Sequence, residues 1–226
     1  MTTPNHKIRL IMELRRSGVT DTRVLSAIER TPRENFCLPQ FRDRAYEDTA
    51  LPIAHGQTLS QPTVVGLMTQ ALDLHPRHKV LEVGTGSGYQ GSILSLLCRR
   101  VYTIERHRPL LAEAEARFKE LRLNNLVTRH GDGWAGWVEQ APFERIIVTA
   151  APPEIPQALV DQLAEGGIML LPVGRDKRTQ SLLRVRRIAG VIETDELAPV
   201  RFVPLVAGMP EDMPALSVGS AGKNRA

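Results

Sequence analysis

The chain has 226 residues and a formal net charge of +4, with 42% hydrophobic and 24% charged residues, the balance of an ordinary globular protein with one sizeable core. Its 17 glycines and 16 prolines exclude collagen-like or low-complexity character yet leave room for many loops. The arginines are scattered rather than blocked, so the basic balance reads as a solvated surface and not as a nucleic-acid footprint, and apolar runs such as 146–151 and 168–173 are far too short to span a membrane.

The N-terminus MTTPNHKIRL has no apolar core of a secretory signal, so none is expected. Residues 6–17 place Ile8, Ile11, Met12 and Leu14 at near-helical spacing, and Gly18 follows as a stop. Asp21 is placed to cap a second helix through Arg30, with Val24, Leu25 and Ile28 on one face; Pro32 ends it. Residues 32–60 are rich in turn formers, and so long an irregular stretch signals function or short hidden elements. Pro62 suits the first turn of a helix over 63–74, with Val64, Leu67, Met68, Ala71 and Leu72 inward.

From Lys79 the pattern changes. Strands are predicted at 79–83, 101–105, 126–130, 145–150 and 168–173, with helices at 88–98, 109–121 and 156–164, the last closed by Gly166–Gly167. Strands interleaved with helices imply right-handed crossovers and a doubly wound, mostly parallel α/β sheet. SLLRVRRI, Gly190, VIETDEL and a last short strand VRFVPL read as an antiparallel C-terminal edge. Residues 207–226 lack periodicity and are expected to be a loose tail. The expected organisation is an N-terminal helical extension with a functional loop (1–75), a core (76–206) and that tail. Cys37 and Cys98 lie far apart with no CxxC, which fits a reducing cytoplasm, no disulfide framework and no metal site.

Three strand ends carry chemistry. Gly84-Thr85-Gly86-Ser87-Gly88 places a glycine turn between a buried strand and a helix. Glycines allow a sharp turn and close approach of a ligand, and the helix start offers free N–H groups. A dinucleotide turn wants G-x-G-x-x-G, but residue 89 is Tyr, so the G-x-G-x-G spacing suits a ligand without a pyrophosphate. Glu105 ends the next strand about twenty residues after Gly84, the spacing of a carboxylate that accepts from both ribose hydroxyls. Gly131-Asp132-Gly133 follows the third strand, where Asp132 either accepts from an exocyclic amine such as adenine's or is an ordinary turn residue. Together these point to S-adenosylmethionine in a Rossmann-like methyltransferase. A polar loop, Gly56-Gln57-Thr58-Leu59-Ser60-Gln61-Pro62, leads into a helix; Ser60 either caps that helix or faces a substrate, and no G-x-S-x-G elbow makes it a hydrolase nucleophile.

The segments GQTLSQP (56–62), VLEVGTGSGYQ (80–90), TRHGDGW (128–134), APFERIIVTAAPPEIP (141–156), LAEGGIMLLPVG (163–174) and VRFVPL (200–205) resemble those of the bacterial protein-L-isoaspartate O-methyltransferases, over about residues 20–206. The glycine turn alone is generic to methyltransferases, whereas GQTLSQP, TAAPP and RFVPL are specific to this family. The resemblance implies methyl transfer from S-adenosylmethionine to the α-carboxylate of isoaspartyl residues in damaged proteins, followed by closure to a succinimide. It implies Ser60 as the active-site serine, Gln57, Thr58 and Leu59 in a loop over cofactor and substrate, and Gly84, Gly86, Glu105, Asp132 and Gly133 at cofactor positions. Isoaspartyl proteins would be the partners, with no nucleic acid or membrane, and the chain would act as a monomer. Ala54-His55 departs from a family pattern with Gly there, and Val206 stands where some members carry Thr, so no cofactor contact is assigned to it. Another methyltransferase, acting on RNA or a small molecule, is the competing expectation, but Thr149-Ala150-Ala151-Pro152-Pro153 offers no Asn or Asp to grip an amine. A non-catalytic cofactor-binding module is disfavoured by the intact turn, Glu105 and Ser60.

Overall fold

In the structure, a computed structural model that describes residues 3–210 other than Lys177, the chain opens with helices α1 (Thr3–Arg16) and α2 (Thr22–Arg30). The inward stripe of α1 is Leu10 and Leu14, whereas Ile8 and Met12 are 55% and 50% exposed. Residues two apart on a helix lie about 200° apart, so a face built on Leu10 and Leu14 turns Ile8 and Met12 outward. Asp21 caps α2 as its position suggests, accepting from the Arg23 N–H at 2.8 Å, and Val24, Leu25, Ala27 and Ile28 are buried.

Residues 32–60 contain 3₁₀ turns at Arg33–Phe36, Pro39–Arg44 and Ala54–Gly56. They also hold a two-stranded antiparallel ribbon of β1 (Leu51–Pro52) and β2 (Thr58–Leu59). Helix α3 runs Pro62–Ala71 with proline in its first turn. Val65, Met68 and Leu72 are buried, and the expected Val64 and Ala71 pack half-buried against the core. Leu10, Leu14, Leu25, Ile28, Phe36, Leu59 and Ile93 belong to one apolar cluster, which fastens the N-terminal third to the helix over Tyr89–Ser95. Each such side chain contributes about 1.5–3 kcal/mol by burial.

The sheet contains β3 (Lys79–Val83), β4 (Arg100–Glu105), β5 (Leu126–His130), β6 (Phe143–Val148), β7 (Leu163–Val173), β8 (Gln180–Ile188) and β9 (Val191–Val200). Their order is β5-β4-β3-β6-β7-β8-β9. All pairs from β5 to β7 are parallel, and β8 and β9 add the antiparallel edge. This is the expected Rossmann-like α/β sheet. Between strands lie α4 (Tyr89–Ser95), α5 (Arg108–Glu120) and α6 (Gln157–Asp161). Among the described residues no helix is long and apolar enough to cross a membrane.

Two local expectations give way to tertiary context, and the hairpin at Gly190 forms as expected. The predicted helix over 156–164 is only α6, and Gly166–Gly167 lie inside β7, opposite a register shift between Phe143 and Arg145. Paired glycines there accommodate a bulge instead of closing a helix. The β8–β9 hairpin turns on Ala189 and Gly190, both at positive φ, which matches the twist of a two-residue hairpin. VRFVPL does not make a strand of its own: β9 ends at Val200, and the segment crosses to form one parallel bridge between Ala151 and Pro204. Pro204 has no N–H to continue a ladder. Of the tail predicted at 207–226, residues 211–226 lie outside the described residues.

Sheet order positions the site. The chain leaves β3 toward β4 and β5 on one side, then returns to the other side through β6. Strand order reverses between β3 and β6, and a crevice opens outside the carboxyl ends of the strands at such a point.

Candidate functional site

A cleft of about 330 Å³, within the range of small-ligand sites, opens at that reversal. It brings together Gln57, Thr58, Leu59 and Ser60 from the ribbon, Gly84 and Gly86 from the turn after β3, Glu105 from the end of β4, and Gly133. Eight of the nine expected site residues therefore meet, from segments up to 76 positions apart in sequence. Asp132 does not line the cleft. Its carboxylate accepts from Trp134 N at 2.8 Å and from Gly208 N at 2.7 Å, so it shapes its own turn and holds the segment after Val206.

The turn is built from crossing bonds. Gly84 N donates to Ile104 O at 2.9 Å, and Thr149 Oγ1 donates to Gly84 O at 2.7 Å and Val83 O at 3.1 Å. Gly84, Gly86 and Gly88 have φ of 97°, 54° and 89°, a region open to glycine and disfavoured for residues with a Cβ. Gly84 is the most constrained, because a Cβ there would stand 2.3 Å from Thr149 Oγ1.

Glu105 is 5% exposed. Its Oε2 accepts from Gly86 N at 2.8 Å and its Oε1 from His107 N at 2.9 Å. One carboxylate thus fixes both the glycine turn and the start of the following loop. Each oxygen keeps a second lone pair, which suits the pair of hydroxyls of a ribose. Glu105→Ala is expected to weaken S-adenosylhomocysteine binding roughly ten- to a hundredfold, the loss of about 1.5–3 kcal/mol of charged hydrogen bonding, while the protein still folds. Calorimetric titration checks it, and an unchanged affinity would remove Glu105 from the site.

Ser60 does not cap the helix. The N-cap of α3 is Gln61, which makes no side-chain capping bond. The capping acceptor is Asp48, whose carboxylate takes Thr63 N and Thr63 Oγ1, each at 2.8 Å, and Gln61 Nε2 at 2.9 Å. The Ser60 hydroxyl makes no hydrogen bond to another described residue and lines the cleft beside the turn.

Several lining residues escaped sequence reasoning. His107, which lines the cleft, stacks on His55, with ring centroids 5.2 Å apart and an 18° interplanar angle. Burial pushes the His107 imidazole below its usual value, against the pull of Glu105. His55 itself holds φ 57°, so the departure at Ala54-His55 places a residue in the left-handed region just before Gly56. Thr149 follows β6 and Tyr89 opens α4; strand-end position alone could have flagged Thr149. Val206, to which no contact had been assigned, lines the cleft with Val203, Pro204 and Leu205.

Known proteins match this chain along most of its length. The family model described as protein-L-isoaspartate(D-aspartate) O-methyltransferase (PCMT) matches residues 5–209. A protein-L-isoaspartate O-methyltransferase of Rhodospirillum rubrum is 64% identical over 212 residues, 93% of this chain and 97% of that protein. A solved structure of a protein-L-isoaspartate O-methyltransferase superposes with a TM-score of 0.80 at 27% identity, covering 89% of this chain and 66% of the other. A Plasmodium falciparum protein solved in complex with S-adenosyl-L-homocysteine superposes with a TM-score of 0.77 at 28% identity, covering 89% of this chain and 98% of the other. With its switch-point cleft, glycine turn and unengaged serine, the chain belongs to the protein-L-isoaspartate(D-aspartate) O-methyltransferase family.

Proposed function

We propose that the protein transfers the methyl group of S-adenosylmethionine to the α-carboxylate of L-isoaspartyl residues in damaged proteins, which starts repair through a succinimide. It does so as a cytoplasmic monomer. Free, buried Cys37 and Cys98 thiols fit a reducing compartment, and elements of one chain complete the cleft. The observation that carries the reading is the Ser60 hydroxyl, unengaged by the helix it precedes and lining the same cleft as the glycine turn and Glu105.

The residues present fit the cofactor. Glu105 would take the ribose hydroxyls. Gly84, Gly86 and Gly133 would allow close backbone approach, and Gln57, Thr58 and Leu59 would cover the bound molecule. Asp132 would act by holding its loop. When bound, S-adenosylmethionine supplies a methyl group on a positively charged sulfur.

An α-carboxylate is ionised at neutral pH, with an ordinary pKa near 4, so methyl transfer to it needs no general base. What the protein must supply is placement. Ser60 donates to one carboxylate oxygen and thereby aims the other, and orientation of this kind is worth several kcal/mol, up to an ideal limit of ~7–11. The loop over 55–62 acts as a lid that keeps water from a reaction in which opposite charges are neutralised.

A methylation assay with an isoaspartyl peptide and its aspartyl isomer tests the function: only the isoaspartyl form is expected to accept methyl groups, and equal or absent transfer to both would sink it. Ser60→Ala tests the residue. Turnover should fall roughly ten- to a hundredfold, one hydrogen bond to a charged group being worth ~1.5–3 kcal/mol. Cofactor affinity and the urea midpoint should stay at wild-type values, because Asp48 supplies the cap. A destabilised variant with full activity per folded molecule would return Ser60 to a structural role.

A further inference from the structure

We propose that Arg33 is a positioning residue for methyl transfer, acting through Ser60; the inference rests on the role given to Ser60 above. Arg33 lies in the 3₁₀ turn after α2, in a stretch with no periodicity, and its side chain is 0% exposed. Among the described residues no carboxylate lies within ion-pair distance of it. Its guanidinium instead serves backbone carbonyls. Nη1 donates to Ala45 O at 2.6 Å, and Nη2 donates to Thr49 O at 3.0 Å and to Ser60 O at 2.9 Å. The same group lies 5.7 Å from the ring centroid of Tyr89, the first residue of α4 after the glycine turn, whose ring also packs edge-on against Phe36. Among the described residues Arg33 Nε has no partner.

Burying a cation with only neutral partners is unfavourable, and an apolar side chain of similar volume would fill such a space at lower cost. What an apolar residue cannot do is set angles. The planar fork of a guanidinium fixes several acceptors in one geometry, which the point charge of lysine does not. Here the fork joins three parts that share no hydrogen-bonded ladder: the loop over Ala45–Thr49, the lid at Ser60, and the helix that begins under the glycine turn. Asp48, on the same loop, grips Gln61 and Thr63. The backbone is therefore held at residue 60 by Arg33 and just beyond it by Asp48, while the Ser60 hydroxyl is left unengaged. The contacts of Glu105 with Gly86 and His107 involve neither loop. A change at Arg33 should thus move the serine without touching the ribose carboxylate.

The test is a double-mutant cycle read on kcat, with Arg33→Lys, Ser60→Ala and the double variant, plus S-adenosylhomocysteine titration of each. Arg33→Lys is expected to lower kcat on an isoaspartyl peptide about tenfold with cofactor affinity unchanged, and to have no further effect on kcat in the Ser60→Ala background, because coupled residues are non-additive. Independent, multiplicative losses would overturn the proposal, and so would a loss of cofactor affinity as large as the loss in kcat. If Ser60→Ala alone keeps full turnover, the reading of Ser60 fails, which is distinct from a cycle in which Ser60→Ala is slow and Arg33→Lys simply multiplies it. Should Arg33→Lys not fold, the guanidinium nitrogen resonances of Arg33 in wild-type protein saturated with S-adenosylhomocysteine decide the matter. They should shift on adding the isoaspartyl peptide, and should not shift in Ser60→Ala. No shift in wild type would overturn the proposal.

Discussion

A Gly84→Val protein is expected to bind S-adenosylhomocysteine at least about thirtyfold more weakly than the wild type, and to unfold at lower urea. Gly84 has φ 97°, and a Cβ there would sit 2.3 Å from Thr149 Oγ1. Thr149 cannot turn away freely, since its hydroxyl holds the carbonyls of Val83 and Gly84. A side chain at positive φ costs of order 1–3 kcal/mol and overpacking a further ~1–3. If that strain falls on binding, about 2–6 kcal/mol corresponds to a loss of roughly thirtyfold to beyond ten-thousandfold. The turn relieves it by moving, and the turn carries the Gly86 N–H that Glu105 accepts. Gly86→Ala should be milder, because the nearest atom to its Cβ would be Ile53 Cδ1 at 3.8 Å. Calorimetry and a urea melt on one preparation check the pair; wild-type binding by Gly84→Val would show that the turn does not hold the cofactor.

The stability of the wild type is expected to fall, relative to Glu82→Gln, as pH rises from 5 to 8. Glu82 lies in the middle of β3 and is fully buried. Thr103 Oγ1 donates to its Oε2 at 2.6 Å and lies 2.6 Å from Thr85 Oγ1, while Oε1 has no partner. Burial, with the charge of Glu105 adding to it against the Thr103 bond, pushes the Glu82 carboxyl up to about 8. The unfolded chain releases this proton above the ordinary value of 4.5, whereas the folded protein keeps it until about 8. Between those values the folded state binds one proton more, so stability falls with rising pH by about 1.4 kcal/mol per unit. The contribution is complete below 4.5 and lost once pH passes 8. Glutamine has the same shape and does not ionise, so the difference between the two proteins should widen by about 1.4 kcal/mol for each pH unit in the window. Urea melts at several pH values measure it, and a difference independent of pH would mean that Glu82 is ionised throughout.

The two carboxylates of this region show how far local pattern reaches. Glu105 was legible because its position after Gly84 is a property of one strand–turn–helix–strand unit, and such units repeat with fixed geometry. Glu82 sits in an apolar strand that reads simply as buried; its proton depends on Thr103 and Glu105, supplied by the next strand. Ser60 was visible as a candidate yet ambiguous, since capping and substrate contact both favour a serine before a helix. The capping alternative fell only with Asp48, which lies 15 residues before Thr63 and takes the capping bond. Asp132 looked like a site residue because it follows a strand. Its oxygens are instead engaged by Trp134 N and by Gly208 N, the latter 76 residues away.

By itself the sequence determined the alternation of strands and helices, the glycine turn, the strand-end carboxylate and the family. Each of these depends on periodicity, glycine backbone freedom or residue spacing within a few tens of positions, which neighbours along the chain impose. Only the tertiary structure decided which face of α1 is buried, that VRFVPL leaves the sheet to line the cleft, that His55 stacks on His107, and that a buried Arg33 joins the lid to the rest of the site. Those outcomes turn on sheet order and on hydrogen bonds between residues remote in sequence. Such bonds form because buried polar groups must be paired with whatever the fold brings near, and no local pattern specifies what that will be.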